Sequence, residues 1–263
     1  KGELIAQAII KKCSRILTNN GFEQFKNTSY DLIGTDSIYG SKNSRNNSKE
    51  IVLRLMATHS EKDALIILSK EMAQAATGMA AGVINYLGGR PRVSASIHLF
   101  SFLITKDQVP IIMDLNNKKI KVNIPYDDGF IPVAADKQTI STSLDKNMKT
   151  SVPLIKLAYA RSGDKGNHAN IGIIAREKQY LPFIKSALTS HSVAKYFNHV
   201  LKGDIISWDV PGVNGINFLL KNSLGGGGMA SLNIDPQGKS YAQQILEYEI
   251  PISNKIARKF NLL

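Results

Sequence analysis

The sequence predicts a mixed α/β (α+β) protein, with an N-terminal α/β piece followed by a split βαβ domain. Three observations lead to this prediction. Apolar residues alternate between helical and strand spacing along the whole chain. The second half follows the order strand, helix, strand, strand, helix, strand. A polar stretch at 134–150 without periodicity separates the halves, and 263 residues suffice for two small domains.

The N-terminal half begins with a predicted docking helix. Residues 3–17 place apolar side chains on one face, and Asn20-Gly21 is a common helix end. Strand-like runs follow at 22–33, then a polar loop at 41–49 and a strand at 50–58. Ser60 with Asp63 predicts a capping box that opens a helix running to about Ala76.

The first half continues with an apolar segment of small residues at 78–87 and a basic turn. The turn Gly88-Gly89-Arg90-Pro91-Arg92 leads into a predicted strand at 93–105. Arg90 and Arg92 can hold a carboxylate or diphosphate if they project from the same side of a strand. A solvated edge around Pro91 is the alternative interpretation. A further strand is predicted at 119–124.

The second half supplies the split βαβ elements. Strands are predicted at 154–159 and 171–175, followed by a helix at 180–201 that breaks near Thr189-Ser190. Further strands are expected at 204–210, 214–222 and 248–252. A last helix is expected at 237–246, with Asp235 as its cap and Pro236 at its first position.

The segment 160–170 is the strongest candidate for function, because it places polar chemistry between two apolar strands. Arg161 and Lys165 provide cations, while positive φ at glycines would form a nest of backbone donors for an anion. Asp164 and Lys165 are the candidates for proton transfer. The candidate ligand-binding residues here are Arg161, Ser162, Gly163, Gly166, Asn167 and Asn170. The alternative is an ordinary hairpin turn with solvated cations.

A run of four glycines is the second candidate feature. Gly225, Gly226, Gly227 and Gly228 are entropically expensive to order. The run is either a flexible connection or a place where the backbone approaches another group closely. We expect these glycines to meet Arg161 and Lys165 around one anionic group.

Composition excludes several classes of protein. The net charge of +12 favours acidic partners, yet the lysines are scattered without the clusters and interleaved aromatics of a nucleic-acid binder. No apolar run approaches membrane-spanning length. The five histidines lack zinc-ligand spacing, so we expect no metal. Ser162 lacks the context of a hydrolase nucleophile, and the single Cys13 gives no sign of an oxidising compartment. We expect a cytoplasmic protein with no nucleic-acid or membrane partner.

The motifs resemble the acyclic terpene utilization family (AtuA-like proteins). The resemblance rests on Ala-Arg-Ser-Gly-Asp-Lys-Gly-Asn at 160–167, Leu-Gly-Gly-Gly-Gly at 224–228 and Asp-Pro-Gln-Gly-Lys at 235–239. It extends upstream to Val-Leu-Arg at 52–54 and the basic turn at 88–93. The resemblance implies the C-terminal part of the family's core region at 1–134, a linker at 135–150 and a ferredoxin-like domain at 151–253. A basic tail follows at 254–263. Family members are longer at the N-terminus, and the chain begins with Lys1 inside a helix, so we expect a fragment.

Two functions remain open from the sequence. The resemblance implies a component of acyclic terpene catabolism of the citronellol and geraniol type, acting on a branched CoA thioester by hydration or lyase chemistry. Acyl-CoA carboxylase-pathway proteins are then the expected partners; the substrate is an anionic small molecule, and no cofactor is assigned. The alternative is a non-catalytic assembly or anion-binding module. An oligomer is expected in either case.

Overall fold

The computed structural model describes residues 1–35, 37–40, 48–84, 88–124 and 150–259. The chain divides into two compact units, one formed by Lys1–His98 with Ser143–Leu263 and the other by Leu99–Thr142. The predicted linker at 135–150 lies outside the described residues except for its last residue. Most of the polar loop at 41–49 and the end of the basic tail also lie outside them.

The N-terminal part of the first unit packs two helices on a hairpin. Its elements are α1 Gly2–Asn19, β1 Asn27–Ile33, β2 Val52–Thr58 and α2 Lys62–Gly78. The strands pair antiparallel, and a small core containing Ile9, Cys13 and Leu68 joins the helices to them. The expected capping box is absent, because Glu61 occupies the N-cap of α2 without a side-chain hydrogen bond.

The second unit contains a hairpin of β3 Ile111–Leu115 and β4 Lys118–Val122. Its two-residue turn, Asn116-Asn117, has φ values of 51° and 64°, a conformation that suits tight hairpin turns. The strand predicted at 93–105 is wrong. No described residue pairs with this stretch, and an apolar stretch without a ladder partner does not form a strand.

The C-terminal part of the first unit contains the ferredoxin-like domain. Its elements are β5 Thr150–Pro153, β6 Ala158–Lys165, β7 His168–Ala175, α3 Leu181–Ala187, α4 Ser190–Tyr196, β8 Ile205–Val210, β9 Gly215–Leu220, α5 Tyr241–Ile245 and β10 Glu249–Ile252. Residues Asn254–Lys259 form α6. The predicted break at Thr189-Ser190 is confirmed, because Thr189 caps α4 with a complete capping box.

The main sheet has the strand order β6-β7-β9-β8, and every neighbouring pair is antiparallel. The crossover through α3 and α4 joins β7 to β8, and β9 lies between them, as in a split βαβ unit. In the usual arrangement the last strand borders the first. Here β6 takes that edge position through a local hairpin, and β10 pairs with β5 in a separate ladder.

Helices cover one face of this sheet, and the other face, called the open face here, has exposed side chains among the described residues. Alternate residues such as Ile171, Ile173 and Phe218 point into a core shared with α3, α4 and α5. Their neighbours point to the opposite face, where Tyr159, Ile174 and Trp208 are exposed. The open face is the surface on which the central motif presents its side chains.

Candidate functional site

The central motif forms a hairpin rather than the expected loop. β6 runs through Lys165 and β7 begins at His168, so only Gly166 and Asn167 make the turn. Turn-forming residue types misled the sequence interpretation, because backbone pairing with β7 holds them in a strand. Gly166 has a φ of 65°, whereas Gly163 lies in the ladder opposite Asn170 and does not form a nest.

Strand alternation divides the motif between two faces. Ser162 points inward and is 7% exposed. Its hydroxyl donates to the Gly238 carbonyl at 2.6 Å and accepts from the Ala242 N–H at 2.9 Å. Arg161, Gly163 and Lys165 point to the open face. Ser162 therefore anchors the segment 238–242 to the edge of the sheet.

That anchoring brings a third cation to the open face. Lys239 follows Gly238, and its Nζ lies 3.4 Å from the position that a Cβ of Gly163 would occupy. Gly163 has no side chain, so the ammonium group lies directly over the strand. Lys239 is not among the ligand-binding residues that the sequence predicts. Only the contact with Ser162, 77 residues away, places it there.

We call Arg161, Lys165 and Lys239, together with Gly163 and Asn170, the cationic cluster. Arg161 and Lys165 are two residues from Gly163 on either side, about 7 Å along the strand. Asn170 is the cross-strand partner of Gly163 and donates its amide to Asn217 at 3.3 Å.

The cations of this cluster form no ion pair with a carboxylate in the part of the chain that the structure describes. Lys165 Nζ donates to the carbonyl of Asp164 at 2.9 Å. The cluster therefore presents uncompensated positive charge beside a flat glycine surface, an arrangement that suits a carboxylate or phosphate.

The glycine run packs against the hairpin turn of the motif. The Gly226 N–H donates to Asn167 Oδ1 at 2.7 Å, and the Leu224 N–H donates to the Asn167 carbonyl at 3.2 Å. All four glycines have positive φ. A Cβ on Gly227 would lie 2.2 Å from the Gly166 carbonyl oxygen. The close approach that the run permits is thus to the protein's own turn, at the end of the sheet where Lys165 lies.

The other predicted site residues have different surroundings. Arg90 and Arg92 are exposed in an irregular segment that is held to α2 by a hydrogen bond from Ser69 to the Pro91 carbonyl. Asp164 alternates with Lys165, so their side chains leave β6 on opposite faces. The helix predicted at Pro236 begins only at Tyr241. Asp235 instead accepts from the N–H groups of Lys239 and Ser240 and closes the preceding turn.

A cavity of about 280 Å³ lies elsewhere, between the N-terminal hairpin and the segment 233–241. It is lined by Asp31, His199 and Asp235 among others. Asp31 forms an ion pair with Arg54 at 2.8 Å, and Arg54 also donates to the Leu232 carbonyl. The carboxylate of Asp235 is bound by backbone donors. These acidic groups are already satisfied, and we favour the cationic cluster as the ligand site.

Two further features of the described residues bear on the chemistry of the site. In the described ranges, no group of three or more His, Cys, Asp or Glu side chains is arranged to hold a metal ion. None of the helices in those ranges has the length and apolar character needed to cross a lipid bilayer. His168 has a structural contact, because its Nδ1 accepts the Asn222 N–H at 2.9 Å.

Comparisons with known proteins identify both parts of the chain. Residues 1–115 match the model of the acyclic terpene utilisation family protein AtuA. Residues 152–251 match the model of the AtuA ferredoxin-like domain. Comparison with curated proteins and with solved structures gives no significant match. The two matched regions together include most of the chain and fall in the expected order, so the chain is similar to the AtuA family of acyclic terpene utilisation along most of its length.

Proposed function

We propose that this protein takes part in acyclic terpene breakdown by binding a branched CoA thioester, with the anionic groups of the ligand on the cationic cluster. The family name supports the pathway. The observation that carries the ligand proposal is the arrangement of Arg161, Lys165 and Lys239 around Gly163, without a carboxylate at ion-pair distance in the described ranges. Phosphates and carboxylates are the groups that such an arrangement binds most strongly.

The proposed reaction is hydration or the related lyase-type elimination. In hydration, water adds across a carbon–carbon double bond conjugated to the thioester, with its oxygen on the β carbon and a proton on the α carbon. Lys165 is the proposed proton carrier, because it points to the same face as the anion-binding groups. Asp164, the other candidate from the sequence, leaves β6 on the opposite face, and we assign it no step in this reaction.

Ligand binding to the Arg161→Ala variant tests the site. A charge-assisted hydrogen bond contributes about 1.5–3 kcal/mol, so the variant should bind branched acyl-CoA roughly ten- to a hundredfold more weakly. Its melting temperature without ligand should stay nearly unchanged, because the side chain is exposed. Thermal-shift titration with CoA, branched acyl-CoA and free branched acids measures both quantities.

Lys195→Ala is the matched control, because it removes an exposed charge from α4 in the same domain. It should leave ligand binding intact. Lys239→Ala should weaken binding of the acyl-CoA ligand, as Arg161→Ala does. If Arg161→Ala unfolds the domain and has no separate effect on the ligand, the cluster is scaffolding and the proposal fails.

A second candidate function is assembly with another protein of the pathway through the open face of the sheet. Tyr159, Ile174 and Trp208 are 59%, 42% and 47% exposed there. Exposed apolar groups on one face are typical of interaction surfaces. A stable complex with an acyl-CoA carboxylase-pathway protein, together with no thermal shift from any acyl-CoA, would favour this candidate.

A further inference from the structure

Among the described residues, the strand β8 forms an edge of the main sheet with which no other strand pairs. It ends the strand order, and the four consecutive residues Ile206, Ser207, Trp208 and Asp209 are all exposed. Exposure of consecutive residues means that neither the open face nor the edge is covered along this stretch.

The backbone hydrogen bonds of β9 determine which groups of β8 point outward. Lys221 donates to the Asp204 carbonyl at 3.0 Å on the β8 side, and Ala175 donates to the Asn214 carbonyl at 3.1 Å on the β7 side. Antiparallel ladders alternate. Residues 206, 208 and 210 therefore bond to β9, whereas Ile205, Ser207 and Asp209 direct their N–H and C=O groups away from the sheet.

This edge lacks the usual protection against pairing. Natural edge strands carry lysine, proline or bulges that block a second strand. β8 has the sequence Ile-Ile-Ser-Trp-Asp-Val, without Lys, Arg or Pro. Its one charged residue, Asp209, forms an ion pair with Lys185 at 2.7 Å. The sequence of β8 therefore permits pairing with a strand of another chain.

A second copy of the same strand fits this edge in the register centred on Ser207. When two β8 strands run antiparallel with Ser207 on the two-fold axis, Ile205 lies opposite Asp209 of the other copy. All outward N–H and C=O groups then find partners, about six hydrogen bonds in total. On the open face Ile206 lies opposite Trp208, and aromatic–β-branched pairs of this kind stabilise sheets.

The register with the dyad one residue further along the chain, at Trp208, is less favourable for hydrogen bonding. Moving the dyad to Trp208 would place Pro211, which has no N–H, opposite Ile205. We propose that the protein forms a two-fold homodimer through β8, with Ser207 at the axis and a continuous eight-stranded sheet. This proposal does not depend on the ligand proposal, because the cationic cluster lies on β6 at the other edge of the sheet.

A proline at the axis tests the dimer. In Ser207→Pro the missing N–H points to solvent in the monomer, so the strand should still pair with β9. The dimer loses its two central hydrogen bonds and meets the proline ring. Sedimentation analysis of the full chain should show a wild-type dimer and at least a roughly tenfold weaker association of the variant. Ser207→Ala keeps the N–H and should remain dimeric.

Cysteine substitution tests the register independently of any folding defect. Ser207→Cys places two thiols opposite each other, about 5.5 Å apart at Cα, which permits a disulfide across the axis. Asp209→Cys alone faces Ile205 of the other copy and should not cross-link. A monomeric wild-type chain, an unaffected dimer in Ser207→Pro, or equal cross-linking of the two cysteine variants would each overturn the proposal.

Discussion

At the scale of single residues, glycine decides how the candidate site is assembled. Gly163 leaves the open face flat beneath Lys239, and Gly227 allows the glycine run to touch the turn at Gly166. Gly227 has φ 72° and ψ 161°, a backbone region that only glycine adopts readily. The two glycines have separate purposes: one leaves room for a ligand, and the other leaves room for the backbone.

Gly227→Ala should destabilise the protein by roughly 2–4 kcal/mol. The new methyl group would overlap the Gly166 carbonyl, and the backbone would also be strained. The midpoint of denaturant unfolding measures the loss. Gly228→Ala is the matched control, since its φ of 49° suits an ordinary left-handed residue and no atom lies within 4 Å of the new methyl group. Equal losses in the two variants would contradict the packing explanation.

At the scale of elements, sequence signals succeed where the cause is local. The break between α3 and α4 follows from Thr189, whose hydroxyl accepts from the Ser192 N–H at 3.1 Å. The Thr189 N–H in turn donates to the Ser192 hydroxyl at 2.8 Å. These partners are three residues apart, so the sequence alone reveals them. The helix at 237–246 was predicted too long because Asp235 uses its carboxylate to close a turn.

Thr189→Ala should destabilise the domain by about 1 kcal/mol, since the first turn of α4 loses its cap. Thr189→Ser keeps a hydroxyl at the same position and should lose much less. Chemical denaturation of the two variants gives the comparison. A similar loss in both would mean that the methyl group of Thr189, rather than the capping bond, stabilises this junction.

At the scale of the whole molecule, long-range pairing limits what the sequence can predict. The split βαβ order was predictable from periodicity, but the use of β6 as the edge strand was not. That choice depends on a ladder between β5 and β10, which are about a hundred residues apart in the chain. Lys239 was missed for the same reason, since only the tertiary contact with Ser162 carries it to the site.

The core makes the stability of the whole molecule sensitive to alkaline pH. Burial raises the pKa of Tyr196 to about 12, with a smaller contribution from the charge of Glu247. The neutral phenol donates to the Gln244 carbonyl at 2.6 Å. An unfolded tyrosine ionises near pH 10. The stabilisation is therefore complete below pH 10 and is lost as the pH rises towards 12.

The free energy of unfolding should fall between pH 10 and 12 by at most about 1 kcal/mol per pH unit from this group, less for its partial exposure. In Tyr196→Phe this component should disappear. Tyr241, whose pKa burial also raises, accounts for a remaining slope. Unfolding of both proteins at pH 8 provides the reference. An identical slope in the variant would show that Tyr196 does not contribute.

The pairing of β5 with β10 has a consequence for how this domain can be joined to other proteins. Thr150 and Ile252 are register partners, so the strand that opens the domain and the strand before its last helix, α6, lie side by side, about 5 Å apart. A domain with adjacent ends can be inserted into a surface loop of another protein without separating the flanks of that loop. Its own ends can also be linked and new ones opened in an exposed turn. The adjacent first and last strands therefore favour insertion of the ferredoxin-like domain into a loop of another protein.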